Sequence, residues 1–185
     1  MRGGLRIIGG EWGGRRLSVP TAPGLRPTAD RNRETLFNWL QADCSGARVL
    51  DLFAGTGALG IEALSRGAAS AVFVERSRPI AASLKERIAL LGAESRADIQ
   101  CMDALAYCRS NPGPFDLIFL DPPFGKDLLV PALELIGAQP MLAGGARVYV
   151  EAPLQPAPPT LPESWSVIRE KTAGAVWFAL LEDRR

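Results

Sequence analysis

The stretch Asp51-Leu-Phe-Ala-Gly-Thr-Gly-Ala-Leu-Gly60 decides the fold of this chain. It follows an apolar run that predicts a β-strand, and it opens a segment that predicts a helix. Glycines at positions 55 and 57 allow a tight turn and a close approach to a ligand that any side chain would block. The order of strand, glycine turn and helix therefore predicts a nucleotide-binding loop in an α/β sheet.

Short apolar runs alternate with helical patterns beyond this loop, which is typical of an open parallel sheet with helices on both faces. The predicted strands cover residues 49–52, 71–75, 99–102, 117–120 and 147–151, and the clearest predicted helix covers 79–91. The proline-rich segment 153–162 predicts an extended connection. Segments 166–169 and 176–181 then predict an antiparallel hairpin. We therefore expect an α/β fold with a mostly parallel, seven-stranded sheet that ends in this hairpin.

The N-terminal part of the chain is basic. Residues 1–34 contain seven arginines and three acids, although the whole chain has a formal net charge of only +1. This imbalance favours a polyanionic partner, and a solvated surface is an equally good interpretation of the charge alone. Segments 5–8 and 16–19 flank a glycine-rich turn and predict a second hairpin.

An amphipathic helix is predicted to follow this hairpin. It should begin near Asp30, the expected N-cap, and carry Arg33, Leu36, Phe37 and Leu40 on one stripe. The chain is thus expected to have two parts. An N-terminal extension covers residues 1–40, and the main domain covers residues 41–185.

Composition excludes several classes of site. The sequence has no histidine, which removes Ser-His-Asp and Cys-His catalysis and histidine metal sites. Its three cysteines show no CxxC spacing, so neither a disulfide framework nor a metal site is expected. No apolar stretch is long enough for a membrane span or for the core of a signal peptide, and we expect a cytoplasmic protein.

Acidic residues follow three successive predicted strands, at Asp51, Glu75 and Asp103. Glu75 lies 18 residues after Gly57, close to the spacing at which an acid binds the hydroxyls of a ribose. The segment 55–60 also matches the GxGxxG pattern of NAD-binding folds. However, Asp51 would repel a pyrophosphate and attract an ammonium or sulfonium group, so S-adenosylmethionine is favoured over NAD.

A second motif, Phe115-Asp-Leu-Ile-Phe-Leu-Asp121-Pro-Pro-Phe124, ends the fourth predicted strand. The prolines fix an extended backbone and remove N–H groups, so that carbonyl oxygens remain as acceptors. If Asp121 and the Pro122 carbonyl accept both N–H groups of a nucleobase amine, its lone pair can point at a methyl donor. Phe124 would then stack on the base. The alternative interpretation is a rigid turn without chemistry.

Three segments together resemble the bacterial 16S ribosomal RNA guanine-N2 methyltransferase family, within the Rossmann-like class I S-adenosylmethionine-dependent methyltransferases. They are Arg6-Ile-Ile-Gly-Gly-Glu-Trp-Gly-Gly-Arg15-Arg, Arg26-Pro-Thr-Ala-Asp30-Arg-Asn-Arg33-Glu-Thr-Leu-Phe-Asn38 and the glycine-loop segment 51–67. The resemblance implies methylation of a guanine N2 in 16S rRNA. The implied partner is the assembled or assembling small subunit, and a monomer is expected.

The resemblance also implies roles for individual residues. The implied cofactor-binding residues are Asp51, Phe53, Ala54, Gly55, Thr56, Gly57, Glu75, Arg76, Asp103 and Ala104. The implied catalytic loop consists of Asp121, Pro122, Pro123 and Phe124. The implied RNA-binding residues are Arg6, Arg15, Arg16, Arg26, Thr28, Arg31 and Arg33.

Three alternatives stay open. One is an amino-methyltransferase that acts on DNA adenine or on protein glutamine, because a Pro-Pro-aromatic loop suits planar amines in general. Another is a non-catalytic RNA-binding assembly factor, against which the intact Asp51, Glu75 and Asp121 weigh. The third is an NAD oxidoreductase.

Overall fold

The computed structural model describes residues 4–19, 30–110, 112–155 and 157–185. The helices are α1 (Asp30–Trp39), α2 (Ala58–Ser65), α3 (Arg78–Leu90), α4 (Ala104–Arg109) and α5 (Leu129–Ala138). The strands are β1 (Gly4–Arg6), β2 (Arg16–Ser18), β3 (Arg48–Asp51), β4 (Ser70–Val74), β5 (Ala97–Gln100), β6 (Phe115–Leu120), β7 (Leu142–Pro153), β8 (Trp165–Ala173) and β9 (Val176–Asp183). Among the described residues, no helix is both long and apolar enough to cross a membrane.

Strands β3 to β9 form one sheet in the order β5-β4-β3-β6-β7-β9-β8. The first five strands in this order run parallel, and β9 pairs antiparallel with both β7 and β8. The predicted α/β fold, with its mostly parallel seven-stranded sheet and C-terminal antiparallel hairpin, is confirmed. The chain order reverses between β3 and β6, and in such sheets ligands bind outside the carboxyl ends of the strands at this point.

The two faces of the sheet bury separate apolar clusters. Side chains alternate along β6, so that Phe119 belongs to one cluster and its neighbour Ile118 to the other. Helices α1, α2 and α3 cover the face that contains Phe119, and helices α4 and α5 cover the opposite face. Phe37 of α1 contacts Phe119 edge-on, with the ring centroids 6.0 Å apart. Helix α1 therefore covers the sheet next to the carboxyl ends of β3 and β6, which pair side by side.

The N-terminal hairpin belongs to the same core as α1, α2 and α3. Leu5, Ile7, Trp12 and Leu17 are all buried in the first cluster. Polar contacts reinforce this packing, and their central residue is Glu62 of α2, whose side chain is 0% exposed.

The Glu62 carboxylate accepts hydrogen bonds from three groups. They are the backbone N–H of Ile8 at 2.8 Å, that of Gly9 at 2.9 Å and the Arg66 guanidinium at 2.7 Å. Arg33 of α1 approaches the same carboxylate at 3.8 Å. Glu62 therefore joins the N-terminal segment, α1 and α2.

The glycine-rich turn rests against the end of α2. The Ser65 hydroxyl donates to the Gly9 carbonyl at 2.6 Å and accepts from the Trp12 N–H at 3.0 Å. Gly10 has a φ of 76°, and a Cβ at this position would overlap the Ser65 carbonyl. A glycine is therefore required there both for the backbone conformation and for the close approach.

Most elements begin or end a few residues from their predicted bounds; β5, for example, was expected at 99–102 and lies at Ala97–Gln100. Two further differences concern β7 and α1. Strand β7 begins at Leu142, earlier than the predicted 147, and it includes Pro153, which was predicted to start an extended connection. Asp30 is the first residue of α1 rather than its N-cap, and the preceding residue lies outside the described part of the chain. Its carboxylate instead accepts a hydrogen bond from Arg33 at 2.6 Å.

Candidate active site

Two loops lie side by side at the carboxyl edge of the sheet. The register of β3 and β6 aligns Asp51 with Phe119, and the Leu52 N–H donates to the Phe119 carbonyl at 3.1 Å. The glycine loop that follows β3 is therefore adjacent to the loop that begins at Asp121 after β6. The two motifs of the sequence, residues 51–60 and 115–124, meet at the point where the chain order reverses.

The glycine loop requires its glycines. Gly55 and Gly57 have φ values of 51° and 78°, in the left-handed region that favours glycine. A Cβ on Gly57 would overlap the Leu84 side chain. The loop also contains the half-buried Phe53 and the buried Ala54 and Thr56.

Asp51 lies at the base of this loop and is only 2% exposed. It accepts a hydrogen bond from the Gly60 N–H at 3.0 Å. The pKa of Asp51 is raised to about 7, chiefly because the carboxyl group is buried. The hydrogen bond from Gly60 opposes this rise, and the negative charges of Asp121 and Glu75 contribute to it. Three carboxyl groups thus influence one another at this edge, and a cationic ligand would relieve their repulsion.

Glu75 fixes the conformation of the glycine loop. Its carboxylate accepts the Gly55 N–H at 3.0 Å and the Ser77 N–H at 2.7 Å. A carboxylate has about four acceptor positions, so these bonds leave capacity for hydroxyl donors. The neighbouring Arg76 is exposed.

Asp103 is the N-cap of α4, where it accepts the Ala106 N–H at 3.0 Å. Its side chain is exposed, and the next residue, Ala104, is buried. Asp51 therefore ends β3, and Glu75 and Asp103 follow β4 and β5 at the same edge of the sheet, as the sequence predicts. An aspartate at position 103 is favoured in any case, because it caps the first turn of α4.

The loop after β6 begins partly buried and ends exposed. Asp121 is half-buried, Pro122 is buried and Pro123 is exposed. The Phe124 ring is 42% exposed, which is unusual for a large apolar side chain. A planar ligand at the edge of the sheet would find an aromatic surface there together with a carboxylate.

Most of the arginines predicted to contact RNA are exposed. Arg6 and Arg16 are direct partners across β1 and β2 and point to the same side. Like charges in such a pair repel each other, so this side of the hairpin favours an anionic ligand. Arg15 donates to the Leu90 carbonyl at 3.2 Å from an exposed position, and Arg31 is exposed at the start of α1.

Arg33 has a different environment. It is 1% exposed, and its guanidinium donates to the Arg6 carbonyl at 2.7 Å and to Asp30. In this structure Arg33 therefore supports the extension from inside and is not presented to an external phosphate. Arg26 and Thr28, also predicted to contact RNA, lie outside the described residues.

Sequence reasoning missed two features near these loops. One is the set of hydrogen bonds that Glu62 accepts from the N-terminal turn and from Arg66. The sequence indicates it only through a single acid in a helix of otherwise apolar and small residues. The other is a buried pair on β7, in which the Tyr149 hydroxyl donates to Glu151 at 2.8 Å. Alternation along a strand places these two residues on one face, but nothing local indicates their nearness to Asp121.

Residues 5–182 match the model of a protein family described as Conserved hypothetical protein 95. The chain belongs to this family. The ribosomal RNA small subunit methyltransferase D of Escherichia coli strain K12 is 45% identical over 180 residues, which are 97% of this chain and 90% of the relative. The protein of the same name from Haemophilus influenzae is 40% identical over 185 residues, 98% and 95% of the two chains.

Solved structures agree with this assignment. The structure of a proposed methyltransferase from Escherichia coli has a TM-score of 0.90 and 41% sequence identity, and the match covers 99% of both chains. The family resemblance predicted from the motifs is therefore confirmed, and the sheet is that of the class I methyltransferases.

Proposed function

We propose that this protein is an S-adenosylmethionine-dependent methyltransferase that methylates the exocyclic N2 of a guanine in 16S rRNA of the small ribosomal subunit. The observation that carries the proposal is the adjacency of the Asp121-Pro-Pro-Phe124 loop to a glycine loop surrounded by carboxylates. The names of the relatives, which specify ribosomal RNA of the small subunit, support the choice of substrate.

The residues at the glycine loop fit this cofactor. Asp51 lies beside Asp121 and Glu75, where an ammonium or a sulfonium would be stabilised. Among the described residues, a Cβ on Gly55 would approach only the Phe53 carbonyl, at 3.9 Å, so the loop is open to a ligand there. Glu75 would accept the ribose hydroxyls, and Asp103 with Ala104 would contact the adenine. When bound, S-adenosylmethionine supplies a methyl group on a positively charged sulfur, which is a good leaving group.

Asp121 would align and activate the amine of the target base. The guanine amine is a weak nucleophile because its lone pair is delocalised into the ring. Hydrogen bonds from its two N–H groups to the Asp121 carboxylate and the Pro122 carbonyl would aim the lone pair along the line of attack. The nitrogen then gains a carbon substituent and a positive charge, which the Asp121 carboxylate stabilises. One N–H proton leaves to Asp121 or to water.

Phe124 would stack on the base, since its ring is exposed at the edge of the loop. Stacking on an aromatic side chain contributes about 1–3 kcal/mol per base. A base within folded rRNA would have to flip out to reach this loop, at a cost of a few kcal/mol. The stacking energy offsets part of this cost.

The N-terminal extension, residues 1–40, would hold the RNA, and residues 41–185 would bind the cofactor. The paired Arg6 and Arg16, together with Arg15 and Arg31, present exposed guanidinium groups that suit phosphates. The substrate would be the assembled or assembling small subunit in the cytoplasm.

The test is methyl transfer from labelled S-adenosylmethionine to small subunits that lack the modification. Free 16S rRNA, DNA and protein serve as parallel substrates, and the labelled product is digested to nucleosides. Label in N2-methylguanosine is the expected result. Label in another nucleoside or in protein would reject the guanine assignment, and tight cofactor binding without any label would favour a non-catalytic assembly factor.

A further inference from the structure

A groove of about 330 Å³ lies between helix α3 and strand β5, which is at one end of the strand order of the sheet. Its lining consists of Arg78, Ala81, Ala82, Lys85, Ile99 and Cys101. Ala81 is buried and Ile99 is half-buried, whereas Arg78 and Lys85 are exposed. The two cations are seven positions apart on α3, which is about 10 Å along the helix axis. The groove therefore combines an apolar floor with a cation towards each end.

The positive charge of this groove is not neutralised within the described part of the chain. Neither Arg78 nor Lys85 forms an ion pair there. Two acids are sequence neighbours of the lining residues. Glu86 is about 100° round the helix from Lys85. Asp98 precedes Ile99 on β5 and so faces the other side of the sheet, where it accepts a hydrogen bond from the side chain of Gln100 at 2.7 Å. The groove is therefore complementary to an anion.

The groove lies on a side of α3 away from the N-terminal hairpin. Arg87 of this helix donates to the Ser83 hydroxyl at 2.8 Å and approaches the Ser18 carbonyl of β2 at 3.5 Å. The stripe that contains residues 83 and 87 therefore faces the hairpin. Residues 78, 82 and 85 form another stripe, roughly 150° round the helix from the first. The groove is thus a second basic region, separate from the arginines of the hairpin.

One end of the groove lies at the same edge of the sheet as the candidate active site. Arg78 is the first residue of α3, and Cys101 directly follows β5. Strand β5 is three strands away from β6, whose loop contains Phe124, so the two strand ends are about 14 Å apart. A ligand that contacts both places must be longer than a single nucleotide. The polymeric substrate meets this requirement, whereas the positively charged sulfonium cofactor would be repelled by the two cations.

We propose, as an extension of the proposed function on which it rests, that this groove binds a nucleotide of the rRNA substrate that flanks the target guanine. Arg78 and Lys85 bind its phosphates, and its base covers the apolar floor. The planar guanidinium of Arg78 can also stack on a base. An apolar floor alone would equally suit a protein partner, and the unneutralised cations favour RNA. The hairpin and the groove then hold the RNA from two sides of α3, which orients the target base towards the loop after β6.

The exposed Cys101 allows the groove to be probed in the natural chain. The other two cysteines, Cys44 and Cys108, are buried, and burial raises the pKa of both thiols to about 11. A benzophenone maleimide is therefore expected to label Cys101 near neutral pH. After irradiation with small subunits that lack the modification, primer extension is expected to map cross-links to 16S rRNA close to the methylated guanine. The control protein carries Cys101→Ser and Arg109→Cys, which moves the label to α4 on the other face of the sheet and should abolish these cross-links.

A double variant tests the charge of the groove. Each phosphate contact with a single strand contributes about 0.7 to the slope of log affinity against log salt, so Arg78→Gln with Lys85→Gln should lower this slope by about 1.4. Between roughly 50 and 200 mM salt, the affinity for small subunits should then fall about sevenfold less than in wild type, as measured by co-sedimentation. The control variant Arg109→Gln should keep the wild-type slope. Tm and cofactor affinity verify that each variant is folded.

Two outcomes would overturn the inference while unlabelled wild-type protein still forms N2-methylguanosine, which leaves the proposed function intact. One is cross-linking from Cys101 to a ribosomal protein, or to no component of the subunit. The other is a wild-type salt slope in the double variant. Absence of N2-methylguanosine with unlabelled wild-type protein would instead reject the proposed function, and with it the inference.

Discussion

Replacing Glu62 with alanine should destabilise the protein severely. The Glu62 side chain is 0% exposed and accepts two backbone N–H groups and the Arg66 guanidinium, at 2.7–2.9 Å. Its removal leaves those N–H groups without their acceptor. The buried Arg33 would then have Asp30, whose side chain is 55% exposed, as its ion-pair partner. Breaking a buried ion pair from one side costs about 3–5 kcal/mol. Since domains are stable by about 5–15 kcal/mol, this is a large part of the total.

The assay is equilibrium unfolding in urea, followed by circular dichroism and by tryptophan fluorescence. The buried Trp12, on the glycine-rich turn that Glu62 holds, contributes to the fluorescence. The matched control is Glu34→Ala, an exposed acid on α1 that should change the free energy of unfolding by less than about 0.5 kcal/mol. The double variant Glu62→Leu with Arg33→Met should lose less stability than Glu62→Ala alone, because the buried Arg33 guanidinium is removed together with the carboxylate. A loss below about 1 kcal/mol in Glu62→Ala would refute the reasoning.

Three further predictions concern the site. Asp121→Ala should lower the rate of methyl transfer by about 10²- to 10³-fold. The cofactor affinity, measured by calorimetry, should change little. Loss of cofactor binding would instead make Asp121 a cofactor ligand. The ligand-free protein should lose stability as the pH rises from about 4 to about 7. The pKa of Asp51 is about 7 in the folded state, against 3.8 for an unperturbed aspartate. Over this pH range the folded protein therefore retains a proton that the unfolded chain releases. Urea unfolding across this range should show the effect, and an identical pH profile in Asp51→Asn would contradict it. Replacing Arg15 and Arg16 with glutamine should flatten the salt dependence of RNA binding, measured by filter retention. The control variant Arg109→Gln should leave this dependence unchanged, because Arg109 belongs to α4, on the other face of the sheet. An unchanged slope in the double variant would remove both residues from the RNA contact.

Local patterns predicted the central sheet well. Strand β3 was expected at 49–52 and lies at Arg48–Asp51, because an apolar run ends there in an acid and a glycine turn. Strand β7 was predicted too short, since Gly144 and Gly145 suggest a loop when only the sequence is considered. In the structure both glycines belong to the strand, and its register with β6 shifts between Phe115 and Leu117. The sequence has no local signal for a strand that continues through such an irregularity.

Interactions between distant residues limited the prediction of the site. The periodicity of α1 correctly placed Arg33 on the buried stripe, while the family resemblance implied that it contacts RNA. The folded chain resolves this conflict, because Glu62 and the Arg6 carbonyl, both at least 27 positions away, receive its guanidinium in the interior. In the same way, the proximity of Tyr149 to Asp121 depends on the register of two strands, which no short window contains.

Helix α2 has a consequence for protein engineering. Its third residue, Gly60, bonds to Asp51 beneath the glycine loop, and the same helix holds the N-terminal turn through Glu62 and Ser65. An N-terminal extension exchanged between relatives would therefore dock properly only if the matching face of α2 were transplanted with it. A chimaera joined at the apparent boundary near residue 40 would separate Arg33 from Glu62. The useful crossover point lies after α2, so the N-terminal hairpin and the glycine loop would have to be inherited as one unit.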